Sequence, residues 1–310
     1  MSRVALFLAA GVLAACVKTA EPPRVEPVPI PPPRPERPEP PGPTPLSEKT
    51  SAYYASVQAN LLSRGQLRKD QGREITLDLD RVVRSYIRIA FYTEYAERGG
   101  FFVSQPQKSR LQRWERPISV GVVTGPSVPP EKAKQGRAEI SAFASRLGRI
   151  TGHPVSMTSG EGNFTVLFLS EDDRLGWGHE LSRLMPGISG ATRRAIIDMS
   201  PSTYCLVVAR DEKGSNAYVQ AVAVIRAEHP DLLRQSCIHE ELAQGLGLAN
   251  DDPTVRPSVF NDDEEFALLT WLDEIMLRIH YDKRLRPGMT EAEATPIVRQ
   301  IAEELLGGPA

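Results

Sequence analysis

Ser236 to Asp251 reads SCIHEELAQGLGLAND, and this stretch decides the fold. Glu240 and Gln244 stand at i and i+4, one turn apart on one helix face, while Leu242 and Leu246 point toward a core. The spacing predicts a helix over Pro230 to Leu248. Two β-rich runs precede it, Tyr204 to Ala209 and Tyr218 to Ile225, separated by Asp211-Glu212-Lys213-Gly214-Ser215-Asn216, which is hairpin turn chemistry. Further upstream, Ile118 to Val123 and Phe164 to Leu169 read as strands. Glu131 to Ile150 reads as a helix closing at Gly152, and Asp172 to Met185 as a helix stopped by Pro186. Tyr53 to Leu62 is a short helix. Leu79 to Tyr95 is a longer one, carrying Leu79, Val82, Val83, Tyr86, Ile87, Ala90 and Phe91 at helical spacing. Phe266 to Tyr281 is helical, with Asp262 and Glu265 as its capping box, and Glu291 to Leu305 forms the last helix. A mixed sheet running into this helix and then into further helices is an α+β arrangement.

The first residues tell a separate story. Arg3 precedes an apolar run, Val4 to Ala15, ending in Leu13-Ala14-Ala15-Cys16. At about twelve residues the run is too short to span a bilayer and has the form of a signal peptide. It resembles the bacterial lipoprotein signal, which implies cleavage before Cys16, a lipid on that cysteine, and the membrane as a partner. Val17, where an Asp would signal retention at the inner membrane, favours the outer one; the expected location is the periplasmic face of the cell envelope. From Pro22 to Pro45 proline recurs so often that neither a sheet nor a helix can propagate. As polyproline II, this disordered stalk would reach up to roughly 75 Å. The expected organisation is a signal peptide over 1–15, a lipidated linker over 16–46, and one domain over 47–310 with an N-terminal helical extension to about residue 110. A formal charge of -2 without a dense basic run excludes nucleic acid as the natural partner. With Cys16 lipidated, Cys205 and Cys237 remain, and two cysteines outside the cytoplasm are expected to form a disulfide.

Counted from Glu240, the helix has the spacing of a zinc-peptidase motif without its histidines. In that motif two imidazoles one turn apart bind Zn²⁺ and the glutamate between them polarises the attacking water. Here the ligand positions hold Glu240 and Gln244, and the base position holds Glu241. Arg113-Trp114-Glu115-Arg116-Pro117, Cys237 to Asp251, and Arg284-Leu285-Arg286-Pro287-Gly288-Met289 together resemble an uncharacterised family of exported bacterial proteins with a zincin-like domain, over roughly Leu79 to Met289. The resemblance implies that Gly247 turns the chain, that Asn250 stands where a third ligand would be, that Ser258-Val259-Phe260 occupies the place of a methionine turn, and that Asp273 to Tyr281 is the helix after it. All three ligand positions, Glu240, Gln244 and Asn250, lack histidine. No cofactor is therefore expected, because amide oxygens beside one carboxylate suit Zn²⁺ poorly. A hard cation tolerates oxygen better, but Ca²⁺ needs six or more donors, and Asp251 and Asp252 would have to converge from a loop.

The remaining candidates have plainer readings. His239 is a surface or partly packed residue, and His153, His179, His229 and His280 form no ligand set by spacing. Asn261-Asp262-Asp263-Glu264-Glu265 is explained by helix capping. Ser200-Pro201-Ser202 is a turn rather than a nucleophile elbow, and Gly160-Glu161-Gly162 is a loop rather than a phosphate cradle. The expected function is a degenerate metallopeptidase-like domain that binds a peptide or envelope protein without zinc proteolysis. The alternative is a hydrolase using the Glu240 and Glu241 carboxylates, against which stands the roughly 100° between adjacent helical side chains. An accessory of envelope assembly, in which stalk and lipid matter more than the groove, is a third.

Overall fold

Phe164 to Leu169 reads FTVLFL, and every residue of it is buried. Period-2 alternation explains this: Phe164, Val166 and Phe168 face one apolar layer while Leu167 and Leu169 face another, so both sides of the strand are covered. The computed structural model describes residues 42–307 other than 213 and 262. The residues read as a signal peptide, Cys16 and the segment read as a stalk up to residue 41 lie outside the described residues, as does Asp262.

The sheet is built around this strand, β6 (Phe164–Leu169). On one side it pairs in parallel with β4 (Ile118–Thr124), which pairs in parallel with β5 (Val155–Met157). On the other it pairs in parallel with β8 (Ala217–Arg226), setting Phe164 beside Ala221. The antiparallel β7 (Cys205–Asp211) follows on β8, with Cys205 beside Ile225, and β3 (Arg113–Trp114) adds a short parallel pairing at the start of β8. The mixed sheet and surrounding helices make the domain α+β.

One face of the sheet is covered by α2 (Leu79–Ala90), α3 (Pro130–Thr151), α7 (Asp231–Gln244), α8 (Trp271–His280) and α9 (Glu291–Gly307), whose Tyr86, Phe143, Leu242, Met276 and Val298 share a core with Phe164 and Ala223. The opposite face is covered by the short helices α4 (Glu171–Leu175), α5 (Gly178–Leu184) and α6 (Gly190–Ile197), through Leu181, Leu184 and Ile196 against Leu206, Val222 and Val224. Each fully buried side chain of this size contributes about 1.5–3 kcal/mol, so the two layers are the main source of stability.

Four boundaries differ from the sequence expectation. α1 spans Pro45–Ser63, starting inside the segment read as linker; Thr44 caps it, and Ser47 and Tyr54 fix it to the domain by donating to Glu228 Oε1 (2.7 Å) and the Pro201 carbonyl (3.0 Å). The expected helix Leu79 to Tyr95 stops at Ala90. Beyond Phe91 the chain alternates instead, and β1 (Tyr92–Arg98) pairs antiparallel with β2 (Phe101–Lys108) about Gly99 and Gly100, both at positive φ. A hairpin therefore occupies the C-terminal end of what was read as a helical extension. The expected helix Asp172 to Met185 is split at Gly176, because the capping box of Ser170 and Asp173 begins one short helix and a second starts at Gly178. Finally, α8 begins only at Trp271, capped by Thr270 and Asp273 rather than by Asp262 and Glu265. Glu265 instead pairs with Arg68 and Arg256. No helix among the described residues is long and apolar enough to cross a membrane.

Candidate functional site

Trp114 and Tyr281 meet the end of α7. Trp114 Nε1 donates to the Gly245 carbonyl at 2.8 Å, and Tyr281 OH to the Leu246 carbonyl at 2.9 Å. Arg113 reaches the His280 and Asp282 carbonyls, while Leu111 N donates to the Met289 carbonyl and Gly288 N to the Leu111 carbonyl across the adjoining loop. Backbone N–H groups of Gly245, Leu246 and Gly247 take up the Glu241, Ala243 and Gln244 carbonyls, and the two side chains satisfy the Gly245 and Leu246 carbonyls just past the helix end. Gly247, at φ 125°, then turns the chain sharply.

This end of α7 floors a cleft of about 580 Å³. Glu240, Glu241 and Gln244 form its base, Thr203 to Cys205 at the start of β7 one wall, and Glu94 and Tyr95 of β1 another. Leu61, Arg64 and Gln66, from the end of α1, close a third side. A smaller cavity of about 160 Å³ shares Glu94, Tyr95 and Gln244 and continues along Val207, Val208 and Ala209. The two form a groove beside β7, which pairs with β8 and with no other strand among the described residues.

Glu240 is half-buried; Glu241 is only 4 % exposed, and its Oε2 has no hydrogen-bond partner. The two carboxyl groups do not diverge as helical geometry alone suggested: an oxygen of each and Cys205 Sγ all lie within 4.8 Å of one another. Burial pushes both carboxyls well above their usual range, and the Asp251 and Glu94 carboxylates push in the same direction. Folding therefore favours the protonated forms. That contribution is complete below the unfolded carboxyl value and is lost as pH rises toward the raised folded one. Glu241→Gln, which keeps the shape without the charge, is expected to raise the melting temperature at pH 8 in chelator and to change it little at pH 4.5. Each unit of relieved shift is worth about 1.4 kcal/mol. Equal differences between variant and wild type at the two pH values, measured by scanning calorimetry, would show that Glu241 ionises without cost.

The third ligand position departs from the zincin arrangement in space as well as in chemistry. Asn250 Nδ2 donates to the Arg88 carbonyl at 2.9 Å, and the residue lines a neighbouring cavity rather than the cleft. Asp251 enters the cleft instead, its Oδ1 accepting from Gln244 Nε2 at 2.9 Å. Asp252 turns away to Arg88 and Thr254. The floor offers carboxylate oxygens and a sulfur that is not a thiolate, because Cys205 is joined to Cys237 by a disulfide. The placement of Asp251 was available only as a possibility from sequence, since its side-chain direction depends on the turn at Gly247.

Other candidates resolve into structure. The His239 ring stacks on Phe143 with centroids 3.9 Å apart and its Nδ1 accepts from Leu269 N, so burial holds its pKa down at about 3. It is partly packed, the second of the two readings its sequence allowed. His229 and His280, by contrast, are fully buried; His280 accepts or donates at Tyr86 OH and bonds the Gln112 carbonyl. Ser200 and Ser202 bond each other in a turn, and Glu161 pairs with Arg183 beside its loop. Val259 lines the cleft while Ser258 donates to Asp273 Oδ1 at 2.6 Å, so the loop at the expected methionine turn lies against the start of α8.

Sheet, covering helices and cleft define an α+β domain with an acidic groove along an antiparallel edge strand. Residues 80–300 match the model of DUF2927, and the chain belongs to this family of proteins of unknown function. Neither a curated protein nor a solved structure matches the chain. Helix α1, which contributes one side of the cleft, lies outside the matched segment.

Proposed function

We propose that this is a lipid-anchored protein of the cell envelope whose degenerate, zincin-like domain binds an extended peptide segment of an envelope partner without zinc proteolysis. The observation that carries the reading is the groove itself: a free-edged strand, β7, bordering a floor whose ligand positions offer no imidazole. An extended segment gains affinity by adding its backbone to such an edge, and neighbouring pockets take alternate side chains. The convergence of Glu240 and Glu241 oxygens favours one second reading, acid/base hydrolysis by two carboxyls of raised pKa.

The test pairs two readouts on the full-length protein in its native envelope. With a photo-crosslinking residue at Val208, one defined adduct is expected, retained in Glu241→Gln, with no product formed from cell-wall peptides by either form. Cys16→Ala is expected to shift the protein out of the membrane fraction. Retained capture with turnover present in wild type and lost in Glu241→Gln would establish the hydrolase reading instead. Absence of any adduct along β7 would overturn the groove as a binding site.

A further inference from the structure

We infer that the floor of the cleft is a binding site for a hard divalent cation, Ca²⁺ in particular, with Glu240, Glu241 and Asp251 as its carboxylate ligands. The starting point is Glu241. Its side chain is almost entirely removed from solvent, lines the cleft, and leaves Oε2 without a hydrogen-bond donor. An ionised carboxylate can only accept, and a buried one left unmatched costs several kcal/mol, so Glu241 stays protonated without a cation and gives up its proton when an ion binds at the cleft. Glu240 supplies the second donor, with an oxygen within 4.8 Å of one on Glu241, a separation that a single ion can bridge when each oxygen lies about 2.4 Å from it. The third comes from the turn. The turn at Gly247 brings Asp251 to the lining of the same cleft, where its Oδ1 accepts from Gln244 Nε2; it stands outside the 4.8 Å group of Glu240, Glu241 and Cys205, so it reaches the ion through water or a small shift of the turn. With its nitrogen used as a donor, Gln244 presents its carbonyl oxygen as a further neutral acceptor.

The donor set selects the ion. Carboxylate and amide oxygens without imidazole or thiolate match Ca²⁺ or Mg²⁺ rather than Zn²⁺. Ca²⁺ tolerates irregular geometry and six to eight ligands, and a cleft of about 580 Å³ leaves room for water to complete the shell; Mg²⁺ demands a near-ideal octahedron that adjacent helical carboxylates do not supply. Charge agrees. Glu94 and Glu264 also line the cleft and add negative potential, whereas Arg64, on an exposed rim, is its one basic lining residue among those described. The inference does not depend on a peptide occupying the groove.

Full-length protein, stripped with chelator and dialysed, would be titrated separately with CaCl₂, MgCl₂ and ZnCl₂ by calorimetry, with melting temperature as a second readout. One Ca²⁺ per chain is expected, raising the melting temperature. Glu241→Gln and Asp251→Asn should each weaken Ca²⁺ by at least about tenfold, while Glu303→Gln, on an exposed helix, leaves it unchanged. Melting of each variant in chelator shows that it remains folded, so loss of Ca²⁺ response reports the site. No Ca²⁺ binding at millimolar concentration, binding unaffected by Glu241→Gln and Asp251→Asn, or stoichiometric Zn²⁺ in place of Ca²⁺ would each overturn the inference. The crosslink along β7, repeated in chelator, reports the groove separately from the ion.

Discussion

Gly247→Ala is expected to unfold the domain or to cost more than about 4 kcal/mol, the range reached when substitution forces backbone strain and a clash together. Gly247 sits at φ 125°, a conformation open to glycine and closed to residues bearing a Cβ. An added Cβ would lie 2.2 Å from the Gln112 carbonyl oxygen and 2.2 Å from His280 Nε2. Neither neighbour can yield: the Gln112 oxygen is backbone, and His280 is fully buried and held by Tyr86. Relief would have to come from the turn, which would pull Gly245 from Trp114 and Leu246 from Tyr281. Gly152→Ala is the matched comparison. Gly152 also has positive φ, at 67°, but an added Cβ would meet nothing within 4 Å, so only about 1 kcal/mol is expected there. Urea titration followed by circular dichroism measures both. A Gly247→Ala midpoint close to that of Gly152→Ala would refute the caged-turn account.

Removal of the Cys205–Cys237 disulfide, as the double substitution to alanine, should cost roughly 3–4 kcal/mol, the loop-closure entropy for a separation of 32 residues. For a domain of this size that corresponds to a fall in melting temperature of about 6 °C. The bond ties the first residue of β7 to the middle of α7, the two elements that border and floor the cleft. Its loss should therefore loosen the groove before the sheet, seen as faster hydrogen exchange at Leu206 to Ala209 than at Val166 to Phe168. A melting temperature within about 2 °C of wild type would show that the covering helices alone hold β7 in place.

Much of the fold was legible because local pattern and tertiary need coincide. FTVLFL is short and rich in aromatic and branched side chains, which favours a strand covered on both sides over a buried helix, and the run from Glu131 ends where Gly152 can adopt its left-handed conformation. The hairpin of Tyr92 to Lys108 was hidden by a helical spacing that carries through Phe91, although Gly99-Gly100 between two alternating runs marks its turn. Phe266 to Ala267 carries apolar residues at the start of the expected last-core helix, but Ala267 donates to the Arg68 carbonyl instead, and helix begins only where Thr270 can cap it.

The site divides in the same way. By itself, the sequence determined that the motif helix carries two adjacent carboxyls and no imidazole at its ligand spacing, since residue identity and helical period settle that much. Only the tertiary structure decided which side chains share the cleft. Trp114, Tyr281 and His280 come from distant parts of the chain to hold the turn after α7, and that turn sends Asn250 to the Arg88 carbonyl and Asp251 over Gln244. A side chain's direction after a tight turn depends on what packs against the backbone, and two of those contacts, from Trp114 to Gly245 and from Asn250 to Arg88, span 131 and 162 residues of sequence.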